Sequence, residues 1–232
     1  MSRLRPRERA RLVLVASILV TGLLYAVPYG HVLAYPLLLL STVAHELGHG
    51  VAALLTGGSF QRLEMWPDGS GVALTAVSDS RLSQAVVAAG GLLGPAVLAA
   101  LGFACGRTPR GARHALTAFA VLLTLALILV VRNPFGWLFV GTIALLCWLI
   151  ARRASAELAQ LGLIFLAVQL ALSVFSRGDY LFTPVARTAT GTMPSDVGQI
   201  AQALLLPYWF WGALCGLASA AVLAYGLRTY WR

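Results

Sequence analysis

Residues 41–58 read STVAHELGHGVAALLTGG and set two histidines and a glutamate among side chains that are otherwise small or apolar. The run from 33 to 56 is long enough to cross a bilayer, which takes about 20 mostly apolar residues. On a helix, His45 and His49 stand one turn apart on the same face, so both imidazoles can reach one ion while Glu46 projects beside them. An ionisable group near the middle of a bilayer costs about 2.5 kcal/mol or more unless it is paired or liganded. Three such groups so close together call for one shared explanation, and a bound metal supplies it. A divalent ion there would bring the pKa of a water toward about 7, and Glu46 could take the proton as that water attacks a carbonyl. Catalytic zinc usually has three protein ligands and a water, so a third donor must come from elsewhere in the chain.

Working outward, the whole chain has the same character. Its 232 residues are 59% hydrophobic and 11% charged, and the mean hydropathy is +0.82, far from a water-soluble domain. Seven apolar runs are candidate spans, at roughly 11–29, 33–56, 83–105, 114–131, 135–151, 157–176 and 208–227. The expected fold is an all-α polytopic integral membrane protein of about six to seven transmembrane helices, one domain over 1–232, with residues 1–10 a basic cytoplasmic tail. The first run has the basic start of a signal peptide, but no small-residue cleavage site precedes the next span, so it is read as an anchor. Cys105, Cys147 and Cys215 lie within apolar runs and lack metal-ligand spacing, which marks them as packing residues.

The net charge of +9 comes from 17 arginines against eight acids. They cluster at the ends of the apolar runs, where they anchor loops to anionic headgroups, so nucleic acid is rejected as a partner and the lipid bilayer takes its place. If all seven runs cross, ten arginines (3, 5, 7, 9, 11, 62, 81, 132, 177 and 187) share one side and seven (107, 110, 113, 152, 153, 228 and 232) the other. The positive-inside rule then puts the N-terminus and the mouth of the histidine site in the cytoplasm of a bacterial-type plasma membrane. Against this, GRTPRGAR at 106–113 looks cytoplasmic on its own.

Of the acids, Glu8, Glu64, Asp68, Asp79 and Glu157 fall in tails or loops. Asp179 and Asp196 remain as candidate third ligands, and both lie on the histidine side by the crossing count. Asp196 opens a short helical run ending at Pro207 that could fold back to the histidines, although Ser195 and Asp196 also suit a helix N-cap. Position alone does not separate these readings.

AHELGH followed by AALLTGG, then AAGGLLGPAVLAALG, RNPFG and finally SDVGQIAQALLLPYWFW resemble, in that order, the membrane-embedded site-2 protease superfamily and within it the peptidase M50B-like group. The resemblance implies a polytopic zinc endopeptidase, with one Zn²⁺, that cuts membrane-protein substrates within or near their transmembrane segments. It implies His45 and His49 as ligands, Glu46 as general base and Asp196 as the acidic ligand, with Asp179 as runner-up. The leucine-aspartate-glycine triplet that carries the acidic ligand in site-2 proteases proper does not occur here. The rival readings are a metal-binding membrane scaffold without turnover and, further off, a transporter, which would scatter acids through several spans.

Residues 58–77 alternate polar and apolar side chains around Asp68-Gly69-Ser70-Gly71, the pattern of a small surface β-hairpin whose free edge could take an extended substrate by strand addition. Gly90, Gly91, Gly94 and Pro95 allow close helix packing or a gate in the third span. Asn133 could donate to a developing oxyanion or contact substrate, although Asn-Pro is also common turn chemistry. Gln169 is expected to bond between helices, Trp209 and Trp211 to sit in an interfacial belt, and His31 and His114 to be structural or solvated.

Overall fold

The computed structural model describes residues 6–176, 178–189 and 191–231. Helices α1 (Pro6–Ala26) and α2 (Gly30–Leu55) lead into strands β1 (Ser59–Met65) and β2 (Gly71–Ala76). Helices α3 (Arg81–Cys105), α4 (Pro109–Leu129), α5 (Pro134–Arg153) and α6 (Ala156–Ser176) follow. A 3-10 turn (Gly178–Phe182), strands β3 (Val185–Thr188) and β4 (Gly191–Pro194), and helices α7 (Asp196–Leu204) and α8 (Tyr208–Trp231) complete the chain. Among the described residues, six helices are long and apolar enough to cross a membrane, and the protein is an integral membrane protein. The first apolar run, a seventh candidate span, forms α1, a helix of 21 residues over Pro6–Ala26.

Local chemistry places the ends. Ser80 caps α3 by accepting from the Ser83 amide and Thr108 caps α4 by accepting from Gly111. Prolines stand in the first turns of α4 and α5, where a missing amide proton costs nothing. Apolar side chains such as Leu19, Val121, Leu138, Leu145 and Leu217 are exposed on the bundle's outside, a surface that suits acyl chains rather than water.

Helix α3 is the central post, packing against α2, α6, α7 and α8. Its glycines set how near α2 can come. A β-carbon on Gly48 would fall 2.2 Å from the Gly90 carbonyl oxygen, and one on Gly94 2.6 Å from that of Ala44. The two backbones therefore touch along the HExxH segment, as small residues permit in membranes. Helix α3 stays helical through Gly90, Gly91, Gly94 and Pro95, so these residues serve packing. Gln169 donates to the Thr21 hydroxyl, joining α6 to α1 as expected of a buried interhelical amide. Cys147 and Cys215 are buried, Cys105 is exposed, and all three are free thiols.

Strands β1 and β2 form the expected hairpin, pairing antiparallel from Ser59↔Ala76 to Met65↔Gly71. It runs back along α2: the Tyr35 hydroxyl donates to the Pro67 carbonyl at 2.6 Å and Thr42 to Gly69 at 2.8 Å. Tyr35 is about 30 Å of helix from Leu55, so the hairpin tip descends well below the end of α2. The outer side of β1 is covered by the α4–α5 connection, with Leu63 N–H donating to Val130 at 2.8 Å and Arg132 N–H to Leu63 at 3.1 Å. The hairpin thus has β1 inside and β2 at its open edge.

Candidate metal centre

Helical spacing on α2 presents His45 and His49 together, with ring centroids 4.8 Å apart and Nε2 atoms 3.2 Å apart. Helix α7 brings the third group. Ser195 is the N-cap: its hydroxyl accepts from the Gly198 amide at 3.2 Å and donates to the Thr183 carbonyl at 2.5 Å. With capping done by Ser195, the next residue is free for other work. The buried Asp196 carboxylate spans both imidazoles, Oδ2 lying 3.0 Å from His45 Nε2 and Oδ1 3.3 Å from His49 Nε2. Replacing Ser195 with Ala is expected to cost about 1 kcal/mol and to lower the melting temperature of the detergent-solubilised protein.

These side chains fit a metal ion. Zinc–ligand bonds of about 2.0–2.1 Å at tetrahedral angles hold donor atoms about 3.3 Å apart, close to the three separations here. His49 Nδ1 donates to the Val87 carbonyl of α3 at 2.8 Å, which fixes the tautomer and leaves the Nε2 lone pair facing inward. Asp196 Oδ2 is buried with His45 Nε2 as its near polar neighbour. Lone pairs converging at this range repel unless a proton or cation sits among them, and the three donors together could hold one ion.

The glycines that draw α3 against α2 also shape this pocket. A β-carbon on Gly91 would lie 2.2 Å from His49 Nε2 and 2.4 Å from Cε1. Gly91→Val is therefore expected to push the His49 ring off its Val87 anchor. It should lower metal affinity about 10–100-fold, the usual cost of disturbing a ligand's support, as measured by competition with a zinc chelator.

Glu46 is 5% exposed and lies under the start of β2, where a β-carbon on Gly71 would come 3.1 Å from its Oε1. It shares a cleft of about 300 Å³ with His45, the hairpin tip 68–71, Tyr180 and residues 186–188. The two hairpins meet over this cleft, the Ala189 amide donating to the Ser70 hydroxyl at 3.3 Å. Ser70 in turn donates from hydroxyl and amide to Asp68, at 2.6 and 2.9 Å, holding that carboxyl below its ordinary range.

Of the other residues singled out in the sequence, Asn133 is bound into the hairpin. Its Oδ1 accepts from the Met65 amide at 3.2 Å and its Nδ2 donates to the Met65 carbonyl at 2.5 Å. It acts as one more strand residue beside β1, reaching the site only through the hairpin. Asp179 falls on the 3-10 turn, and its side chain lies outside the described residues. Two groups went unnoticed in the sequence: the Val87 carbonyl, which leaves no mark in a side-chain pattern, and Tyr180, whose ring packs edge-on against His45 at 5.7 Å. Only the adjacency of Tyr180 to Asp179 could have drawn attention to it.

The bundle and this pocket define a class, polytopic membrane proteins with an HExxH segment and a carboxylate gathered inside the fold. A family model described as Peptidase M50B-like matches residues 13–226. The chain belongs to that family, a branch of the site-2 proteases. Comparison with curated proteins and with solved structures gave no match.

Proposed function

We propose that the protein is an intramembrane zinc metallopeptidase that hydrolyses peptide bonds within or near the transmembrane segments of membrane proteins. The observation that carries this reading is the meeting of His45, His49 and Asp196 within a membrane bundle, with Glu46 opening on the same cleft. Zinc held by those three side chains would supply Lewis-acid polarisation of the scissile carbonyl and a water acidic enough to attack it near neutral pH.

The chain's own residues do the rest. Glu46 takes the proton of the attacking water and returns it to the leaving amide nitrogen, a transfer worth about 10²–10⁴ in rate. Val87 and Gly91 hold the His49 ring in line. A transmembrane helix must unwind before any of its carbonyls can be attacked, and β2, at the open edge of the hairpin, offers main-chain partners to an extended segment. Gly71, where that strand begins, lies against Glu46, so a segment added there passes the general base. Asn133 supports this step by bracing β1 from behind.

The test is cleavage of a single-span reporter by the full chain in proteoliposomes. Activity is expected to vanish on chelation and to return with zinc. Cleavage that persists in metal-free protein would rule the proposal out.

A further inference from the structure

A groove of about 260 Å³ lies between α3, α4 and α6 and shares no lining residue with the cleft of the metal centre. Its walls run from Leu98 to Cys105 on α3, from Ala115 to Leu122 on α4 and from Leu163 to Leu170 on α6. Each wall covers a seven-residue step, two helical turns, so the groove is about 10.5 Å from end to end. Gly102 brings α3 against α6 along one side, where a β-carbon would fall 2.9 Å from that of Ala167. Phe119 lines the groove from α4 and packs against three of the core clusters. Apart from the Cys105 thiol, every side chain of the lining is hydrocarbon. Such a slot offers water no partners and is too narrow for a helix about 10 Å across. A single hydrocarbon chain fits along it.

The Cys105 end has a different chemistry. One turn before Leu163, Gln160 donates to the Gly106 carbonyl at 2.7 Å and to that of Arg107 at 3.3 Å. The α3–α4 turn is thereby held at that end of the groove. Arg113 donates to the Ala154 carbonyl at 2.7 Å, which draws the α5–α6 turn to the same place. Together these turns, residues 106–113 and 152–157, carry five arginines against one acid, Glu157. Arg113 is committed to Ala154, whereas Arg107 and Arg110 are exposed, Arg107 only two residues beyond the Cys105 wall.

We infer that this groove is a binding site for one anionic phospholipid, with an acyl chain between α3, α4 and α6 and the phosphate held by Arg107 and Arg110. The match is one of shape and charge: an apolar slot one chain wide opens at an excess of guanidinium groups, which pair with phosphate oxygens in a planar, two-pronged geometry. Basic pockets between membrane helices recognise headgroups in this way. The site stands apart from the peptidase reading, since none of the metal ligands lines it.

The full chain in detergent micelles is titrated with phosphatidylglycerol, with zwitterionic phosphatidylcholine of the same acyl chains, and with glycerol 3-phosphate, which has the charge without the chains. Bound lipid is counted by native mass spectrometry, and the melting temperature is followed, since a ligand of the folded state raises it. Phosphatidylglycerol is expected to be retained at one molecule per chain and to raise the melting temperature, and the other two are expected to do neither. Arg107→Gln combined with Arg110→Gln should weaken phosphatidylglycerol binding about 30-fold, roughly fivefold for each arginine. Ala118→Trp, which fills the slot from α4, should abolish retention. Equal retention of phosphatidylcholine would mark an unselective boundary lipid and overturn the inference, as would phosphatidylglycerol binding that survives either variant undiminished. Both arginines are exposed, so the double variant decides the headgroup contact even where Ala118→Trp fails to fold.

Discussion

Glu46→Gln is expected to leave a protein that binds one zinc ion as the parent does and cuts a reporter span at least 10²–10⁴ times more slowly. The substitution keeps the volume and hydrogen-bonding reach of the side chain beneath Gly71, so the hairpin should remain seated. It removes only the ability to take up a proton. His45, His49 and Asp196 are untouched, which separates loss of the base from loss of the metal. Metal content by mass spectrometry and single-turnover cleavage are measured on the same preparation. A glutamine variant that cuts at the parental rate would remove Glu46 from the chemistry and leave a metal-holding scaffold as the better description.

Asp196→Ala is expected to be the most damaging change at the metal centre. The carboxylate bridges both imidazoles, and without it an ion would keep only the two histidines of the three gathered ligands. Purified variant should carry well below one zinc per chain and show no cleavage. Asp179→Ala should keep parental metal content, because Asp196, held by the Ser195 cap at the start of α7, already stands against both histidines. Equal zinc in the Asp196 variant and depleted zinc in the Asp179 variant would reverse the assignment. Asp196→Ala should also spare the N-cap, since that bond belongs to Ser195, so helical content by circular dichroism is expected to be unchanged.

Much of the architecture was legible because its causes are local. Apolar runs gave the helices to within a few residues, the Asp68-Gly69-Ser70-Gly71 pattern gave the hairpin, and the four-residue step from His45 to His49 gave one shared face. Less was legible where a side chain has two competing uses. Ser195 and Asp196 both suit a helix start, and only the packing of Ser195 on Thr183 and Gly198 shows which one caps. Asn133 had the chemistry of an oxyanion donor, yet the α4–α5 connection lays its amide along Met65, where it completes a strand edge. Helix α1 was legible as an apolar helix, but the contacts that seat it on α6 and α8 were not.

Sequence by itself determined that this chain lives in a bilayer and carries two imidazoles and a carboxylate on one helical turn, since hydropathy and the 3.6-residue period act over neighbouring residues. Tertiary structure alone decided which distant carboxylate meets those imidazoles, how His49 is held, and which helices α1 docks on. Those outcomes depend on how closely α3 can approach α2 through Gly90, Gly91 and Gly94, and on where α7 and α1 dock. Such contacts join residues far apart in the chain, Thr21 and Gln169 or Arg11 and Trp231 among them, and no periodicity within either segment encodes the meeting.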